Sequence, residues 1–305
     1  MSVLSKPYFH DEAEAFAYLE KVLWPQGPTC PHCGAVDRIT VVNGGRMGLK
    51  RCGHCKKQFT VKVGTVFEAA HIPLHKMLQA VYLMTSSKKG FSAHQLHRTL
   101  GVTYKSAWFL EHRIREAMRS GDLAPFGSDG GAVEVDETYI GRDPRKKKAP
   151  GARGYEHKQK VLALVDRATG QARAFHVEHV DTKTVMPIVR QNLAREAHVM
   201  TDEAGQYRYV AKEFRAHGVV THKDGEYVSR DNPFVHTNTI EGYFSIFKRG
   251  MKGVYQHCGK QHLHRYLAEF NFRYNNRVAL GVADAPRADV ALRGIVGRRL
   301  TYRDS

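Results

Sequence analysis

The sequence predicts an α/β protein: a mixed sheet flanked by helices, preceded by a four-cysteine β-ribbon and a helical, helix-turn-helix-like region. Three patterns carry this prediction. Two Cys-x-x-Cys pairs stand near the N-terminus, apolar residues recur at helical spacing over residues 73–118, and from residue 132 the chain reads first as strands and then as alternating strand and helix. There is no internal repeat at a fixed period.

Residues 1–24 read as an N-terminal helical segment. Asp11, Glu12 and Glu14 interrupt any apolar run there, so no signal peptide is expected. Cys30-Pro-His-Cys33 and Cys52-Gly-His-Cys55 follow, with 18 residues between the pairs. That spacing fits a four-thiolate zinc site, because each turn aims two sulfurs at one ion and two turns complete a tetrahedron. Gly34 and Gly53 suit the tight turns. Residues 39–42 read as part of a β-hairpin and 58–64 as a further strand, giving a zinc ribbon over 25–67 with one structural Zn²⁺. A redox dithiol is the alternative, but such a motif usually stands singly in a βαβ context, and that context is missing. Cys258 stands alone and reads as an ordinary buried or bystander thiol.

Residues 68–119 are predicted helical. Pro73 suits a helix start, and Leu74, Met77, Leu78 and Val81 keep helical spacing. Ser92 is placed to cap a second helix, Gly101 to break it, and Thr103 to cap a third. Helix, glycine-containing turn, helix is the outline of a DNA-reading module, with Lys105 on the first turn of the third helix. The same outline also serves plain helical hairpins. Residues 120–131, rich in Gly, Ser, Asp and Pro, read as a linker. Residues 132–280 read as the α/β domain and 281–305 as a basic C-terminal tail.

Charge narrows the partners. Over 305 residues, 47 Lys and Arg against 30 Asp and Glu leave a net +17. An excess of that size favours a polyanion, nucleic acid first; an anionic membrane surface and a solubility surplus without a partner are the other readings. No run approaches the roughly 18 apolar residues of a membrane span, and five cysteines are too few for a disulfide scaffold. The expectation is a soluble, reduced, cytoplasmic protein with no membrane partner.

Against that basic background three acids stand out. In the strand 132–141, Glu134, Asp136 and Thr138 share one face and Val133 and Val135 the other; an edge strand with a solvated face would look the same. Asp202 follows an apolar run where a strand meets a Gly-containing loop, the place where functional groups gather in such sheets; caps of the following helix by Asp202, Glu203 or both are the alternative. Glu241 starts a helix whose apolar stripe is Ile240, Tyr243, Phe244, Phe247 and Met251; Asn238 and Glu241 also fit a capping box. Asp166 and Asp224 read as turn residues. Three carboxylates from a strand, a strand end and a helix start can converge to hold two hard divalent cations, the arrangement used for in-line phosphodiester displacement.

The ribbon cysteines, VEVDETYIG, TDEAGQY, HTNTIEGYFSIFKRGMKGVYQH and EFNFRYNNR resemble bacterial insertion-sequence transposases of the DDE type. The likeness is to the ISXO-type subgroup, with its N-terminal zinc ribbon and RNase H-like catalytic domain, and covers roughly residues 15–280. It implies that Asp136, Asp202 and Glu241 are the catalytic acids and hold two Mg²⁺ or Mn²⁺ ions. It further implies hydrolysis at transposon ends to free a 3′-OH, attack of that hydroxyl on target DNA, and a homodimer pairing two ends in a synaptic complex at the nucleoid. The 141–160 segment carries a net +6, and Arg145, Lys146, Lys147 and Lys148 there are read as a phosphate clamp, with a solvated mobile loop as the alternative. Lys248, Arg249 and Lys252 are read as contacts to the DNA end. The rival functions are a zinc-ribbon DNA-binding regulator with an inactive catalytic domain and an RNase H-like nuclease that cuts without joining.

Overall fold

The computed structural model describes residues 2–121, 124–143, 146, 154–222 and 228–301. The chain divides into two compact units, one made of Met1–Arg119 with Asn276–Ser305, the other of Ser120–Asn275.

In the first unit, helix α1 (Glu12–Leu23) begins at Asp11, whose carboxylate accepts the Glu14 N–H at 2.9 Å. Strands β1 (Ile39–Val41), β2 (Lys50–Cys52) and β3 (Gln58–Phe59) form an antiparallel sheet in that order. The strand expected over 58–64 stops at Phe59. Phe59, Thr60 and Val61 are all buried, a run that alternation on a half-exposed strand does not produce, and Val63 N–H turns back to the Thr60 carbonyl at 3.0 Å. Helices α2 (Leu74–Ser86), α3 (Ala93–Leu100) and α4 (Tyr104–Ala117) follow the expected stops. Ser92 Oγ accepts the Gln95 N–H at 3.3 Å while Gln95 Oε1 accepts the Ser92 N–H at 3.2 Å, a complete capping box. Gly101 ends α3 in the left-handed region at φ 61°, and Thr103 Oγ1 caps α4 through the Ser106 N–H at 3.2 Å. The expected apolar stripe Leu74, Met77, Leu78, Val81 is buried. Pro73 stands just before α2 rather than inside it and cannot cap it; Glu12 does so from α1, accepting the Leu74 and His75 N–H groups at 2.8 and 3.1 Å. Within the segment read as a basic tail lies α9 (Asp284–Arg293), which packs on α2. Its buried Arg287 donates to the Thr85 and Val282 carbonyls at 3.1 and 3.0 Å.

The second unit is a mixed five-stranded sheet flanked by helices, as expected for an RNase H-like domain. Its strands are β4 (Ala132–Ile140), β5 (Gln159–Asp166), β6 (Ala172–Val177), β7 (His198–Asp202) and β8 (Ala216–Val220), ordered β6-β5-β4-β7-β8. The β4–β5 and β5–β6 pairs are antiparallel, and the β4–β7 and β7–β8 pairs parallel. Asp166 makes the β5–β6 turn by accepting the Ala168 N–H at 2.8 Å. Helix α5 (Thr182–Asn192) covers one face, burying Val185, Met186 and Val189 against Val133, Val135, Leu162 and Leu164. Helices α7 (Asn238–Gly250) and α8 (Leu263–Asn275) cover the other, and α6 (Val210–Glu213) is a short link before β8. Ile240, Tyr243, Phe244, Phe247 and Met251, the predicted stripe, are all buried there with Val161, Ala163 and Val165. Burying each large side chain of this kind stabilises by about 1.5–3 kcal/mol. The half-buried Cys258 packs against this cluster. Among the described residues no helix is long and apolar enough to cross a membrane.

Candidate active site

The sheet order makes β4 a central strand, so the solvated edge reading of its acidic face does not hold. Glu134 on that face is fully buried. The parallel ladder pairs Glu134 with Met200 and stops there. Continued by two residues, that register sets Asp136 level with Asp202 at the end of β7, with both side chains on the α7 side. Carboxylate oxygens of Asp136, Asp202 and Glu137 lie within 4.8 Å of one another.

Glu137 is the member that sequence reasoning missed. As the neighbour of Asp136 in a strand it belongs to the opposite face, and alternation gives no reason to join it to the site. Where β7 stops pairing with β4, its carboxylate still reaches the group. It is held there by the Tyr207 hydroxyl at 2.7 Å and the Gln206 amide at 2.9 Å. Gln206 and Tyr207 follow Asp202 so closely in sequence that an acid beside them is the one available signal.

The electrostatics are those of clustered acids that repel one another. Burial is the main reason that the Asp136 carboxyl is held well above the usual range. Glu137, Asp202 and Glu241 push it further, against the opposing 2.7 Å bond from the Glu137 N–H. Glu137 is raised too, by burial and by Asp202, while the Tyr207 hydroxyl opposes. Glu241 sits on the first turn of α7; it lies outside the group of three yet close enough for its charge to act on Asp136. Thr237 precedes α7 without a side-chain cap bond, so the capping-box role for Asn238 and Glu241 is not realised. Asp202 Oδ1 accepts the Ala204 N–H at 3.0 Å, and Glu203 accepts the His222 N–H at 3.0 Å. A cluster of oxygen donors that repel one another suits hard divalent cations such as Mg²⁺ or Mn²⁺.

The first unit holds a second ligand group. Sulfur atoms of Cys30, Cys33, Cys52 and Cys55 lie within 4.8 Å of one another, with Cys30–Cys55 and Cys33–Cys52 both at 3.7 Å. Four sulfurs each about 2.3 Å from one Zn²⁺ stand about 3.8 Å apart, so this is a tetrahedral thiolate set rather than a pair of disulfides. The Cys55 and His54 N–H groups draw the Cys52 thiol down to about 6. At Cys33 the Ala35 N–H favours the thiolate, but lost solvation and the neighbouring thiols prevail and push it up to about 11. Trp24 packs edge-on to Phe59 at 5.9 Å beneath the ribbon.

Lys105 is exposed on the first turn of α4, where Tyr104 stacks on His94 at 4.4 Å. Lys146 is half-buried, 3.7 Å from Glu156. Arg145, Lys147 and Lys148 lie outside the described residues. Lys248 lies over the Phe244 ring at 5.9 Å, Arg249 is exposed and donates to the Ser245 carbonyl at 3.1 Å, and Lys252 is exposed just past α7.

Comparison with known proteins bears on both units. Residues 129–275 match the family model of the ISXO2-like transposase domain, and residues 10–58 match that of a transposase zinc-ribbon domain. A curated relative, the "Uncharacterized protein in transposable element ISH50" of Halobacterium salinarum, is 29% identical over 278 residues, covering 87% of this chain and 91% of its own length. A chain of a simian T-cell lymphotropic virus intasome, solved in complex with a PP2A regulatory subunit, aligns over 64% of this chain and 65% of that one. At 13% identity and a TM-score of 0.28, the likeness is too slight to define a fold.

Proposed function

The chain belongs to the insertion-sequence transposases, with an ISXO2-like domain behind a zinc ribbon, and from that premise we propose that it binds the ends of its element, cleaves them and joins the freed 3′-OH to target DNA. The observation that carries this reading is the anionic group of Asp136, Glu137 and Asp202 at the centre of the matched domain, on a chain with net charge +17.

Asp136, Asp202 and Glu241 would hold two divalent ions, Mg²⁺ or Mn²⁺, which would polarise the phosphodiester and offset the charge that builds on it. Asp136 and Asp202 are fixed by the sheet register, and Glu241 by the start of α7. Their part is to place ligand oxygens before substrate arrives, so that the catalysis is positioning and charge stabilisation. Water displaces the 3′-oxygen at the element end; in joining, that 3′-OH displaces the 3′-oxygen of a target phosphodiester in the same pocket. Lys248, Arg249 and Lys252 along and beyond α7 hold the DNA end, and the 141–160 segment with Arg145, Lys146, Lys147 and Lys148 clamps phosphates. Lys105 and the α3–α4 module, with the zinc ribbon, bind the end sequence. The domain limits proposed are 25–67 for the ribbon, 68–119 for the DNA-binding region and 132–280 for the catalytic part. The working form is a cytoplasmic homodimer on nucleoid DNA, pairing two ends.

The test is an assay on duplexes carrying the DNA that flanks the gene, with Mg²⁺ or Mn²⁺. Nicking at the end and joined products are expected from the parent protein, with both lost in Asp136→Asn and in Glu241→Gln. Cleavage without joining makes the protein a nuclease; specific binding without either, unchanged in the variants, makes it a regulator.

A further inference from the structure

We infer that Glu134, together with Arg167, is a positioning residue that fixes Glu241 relative to Asp136; this rests on the metal-centre reading above. Glu134 is fully buried on the same face of β4 as Asp136, about 7 Å along the strand. Its Oε2 accepts the Ile240 N–H at 2.8 Å, and Ile240 immediately precedes Glu241. Its Oε1 accepts from Arg167 Nε at 2.6 Å and lies 3.3 Å from His236 Nδ1. Arg167, in the β5–β6 turn, donates in addition to the Phe234 and His236 carbonyls at 2.7 and 2.6 Å. One carboxylate and one guanidinium thus tie the segment entering α7 to the strand that carries the first acid.

A local cap would serve if α7 needed only its first N–H groups satisfied. Thr237 occupies that position, yet it makes no cap bond, and its buried Oγ1 finds no partner among the described residues. The helix start is therefore set from β4 rather than by its own sequence. Buried ion pairs return little net stability, since desolvation offsets the attraction; what this one supplies is a fixed separation. The shortest path of the brace runs Asp136, Glu134, Ile240, Glu241 and crosses one hydrogen bond, with the Arg167 contacts in parallel. Supports of this kind around metal ligands typically govern affinity by 10–100-fold.

The experiment uses the full-length, zinc-loaded protein and Mn²⁺ as probe, followed by electron paramagnetic resonance, with amide hydrogen exchange on the metal-free protein. Glu134→Gln loses the charge facing Arg167, and Glu134→Asp falls about one methylene short of reaching both partners. Each is expected to weaken Mn²⁺ binding about tenfold and to speed exchange in residues 238–241. Combining either with Glu241→Gln is expected to add little further loss. Faster exchange with unchanged Mn²⁺ affinity would reduce Glu134 to a helix cap and overturn the inference, as would fully additive losses. If the Glu134 variants do not fold, Arg167→Lys carries the test: a smaller loss of affinity supports the brace, and parental affinity refutes it. If Asp136→Asn and Glu241→Gln themselves bind Mn²⁺ like the parent, the metal-centre reading fails and takes the inference with it. If only the Glu134 and Arg167 variants do, the inference alone fails.

Discussion

Replacing Asp136 by Asn should make the metal-free protein more stable while destroying its response to divalent metal. Asn keeps the oxygen that accepts the Glu137 N–H at 2.7 Å, so the local geometry has no reason to change. It removes a half-buried negative charge whose carboxyl is held well above its usual range by lost solvation and by Glu137, Asp202 and Glu241. An acid raised in the folded state binds a proton more tightly there than when unfolded. Its penalty is absent below the unfolded value of about 3.9 and grows as pH rises, by about 1.4 kcal/mol per unit, until the folded value is passed. At pH 7 the penalty is therefore capped at about 4 kcal/mol, and at pH 5 at about 1.5 kcal/mol. For the 156-residue unit Ser120–Asn275, each kcal/mol corresponds to roughly 2–4 °C in melting temperature. A gain of several degrees over the parent at pH 7 is expected in magnesium-free buffer, shrinking toward pH 5. Adding Mg²⁺ or Mn²⁺ should raise the parent, by about 2.7 kcal/mol at a hundredfold excess over the dissociation constant, and leave the variant where it was. Thermal melts by circular dichroism across pH, with and without the metal, measure both effects. A variant that melts below the parent at pH 7 without metal, or a gain independent of pH, would refute the picture of a repulsive pocket held ready for cations.

Two further outcomes follow from the same geometry. Exchanging Cys52 and Cys55 for Ser should lower bound zinc by about one ion per chain, read by atomic absorption, because two thiolates cannot close the tetrahedron; unchanged zinc would remove the ribbon site. Phe247→Ala, at a fully buried position that meets Phe270 edge-on at 5.1 Å, should cost about 3–5 kcal/mol of the second unit's stability in urea titration; a cost below 1 kcal/mol would mean that α7 is not anchored by its apolar stripe.

What the sequence by itself determined is what is encoded locally. Each Cys-x-x-Cys pair, the Ser92, Gly101 and Thr103 stops and the repeat of the α7 stripe depend on residues within a few positions of one another, and each is found where it was expected. Asp136 and Asp202 were legible mainly through family resemblance; their separate sequence signals also fitted an edge strand and a helix cap. Tertiary structure alone decided that β4 is central, that β7 stops pairing with it at Met200, and that Glu137 therefore joins the acids from the other face of the strand. It alone placed Glu134 under α7 and Glu12 under α2 as caps from distant elements. The physical reason is range. Propensity, capping and periodicity act over about four residues, whereas a buried carboxylate takes its partners from whatever the folded chain packs around it, here Ile240, more than 100 residues away.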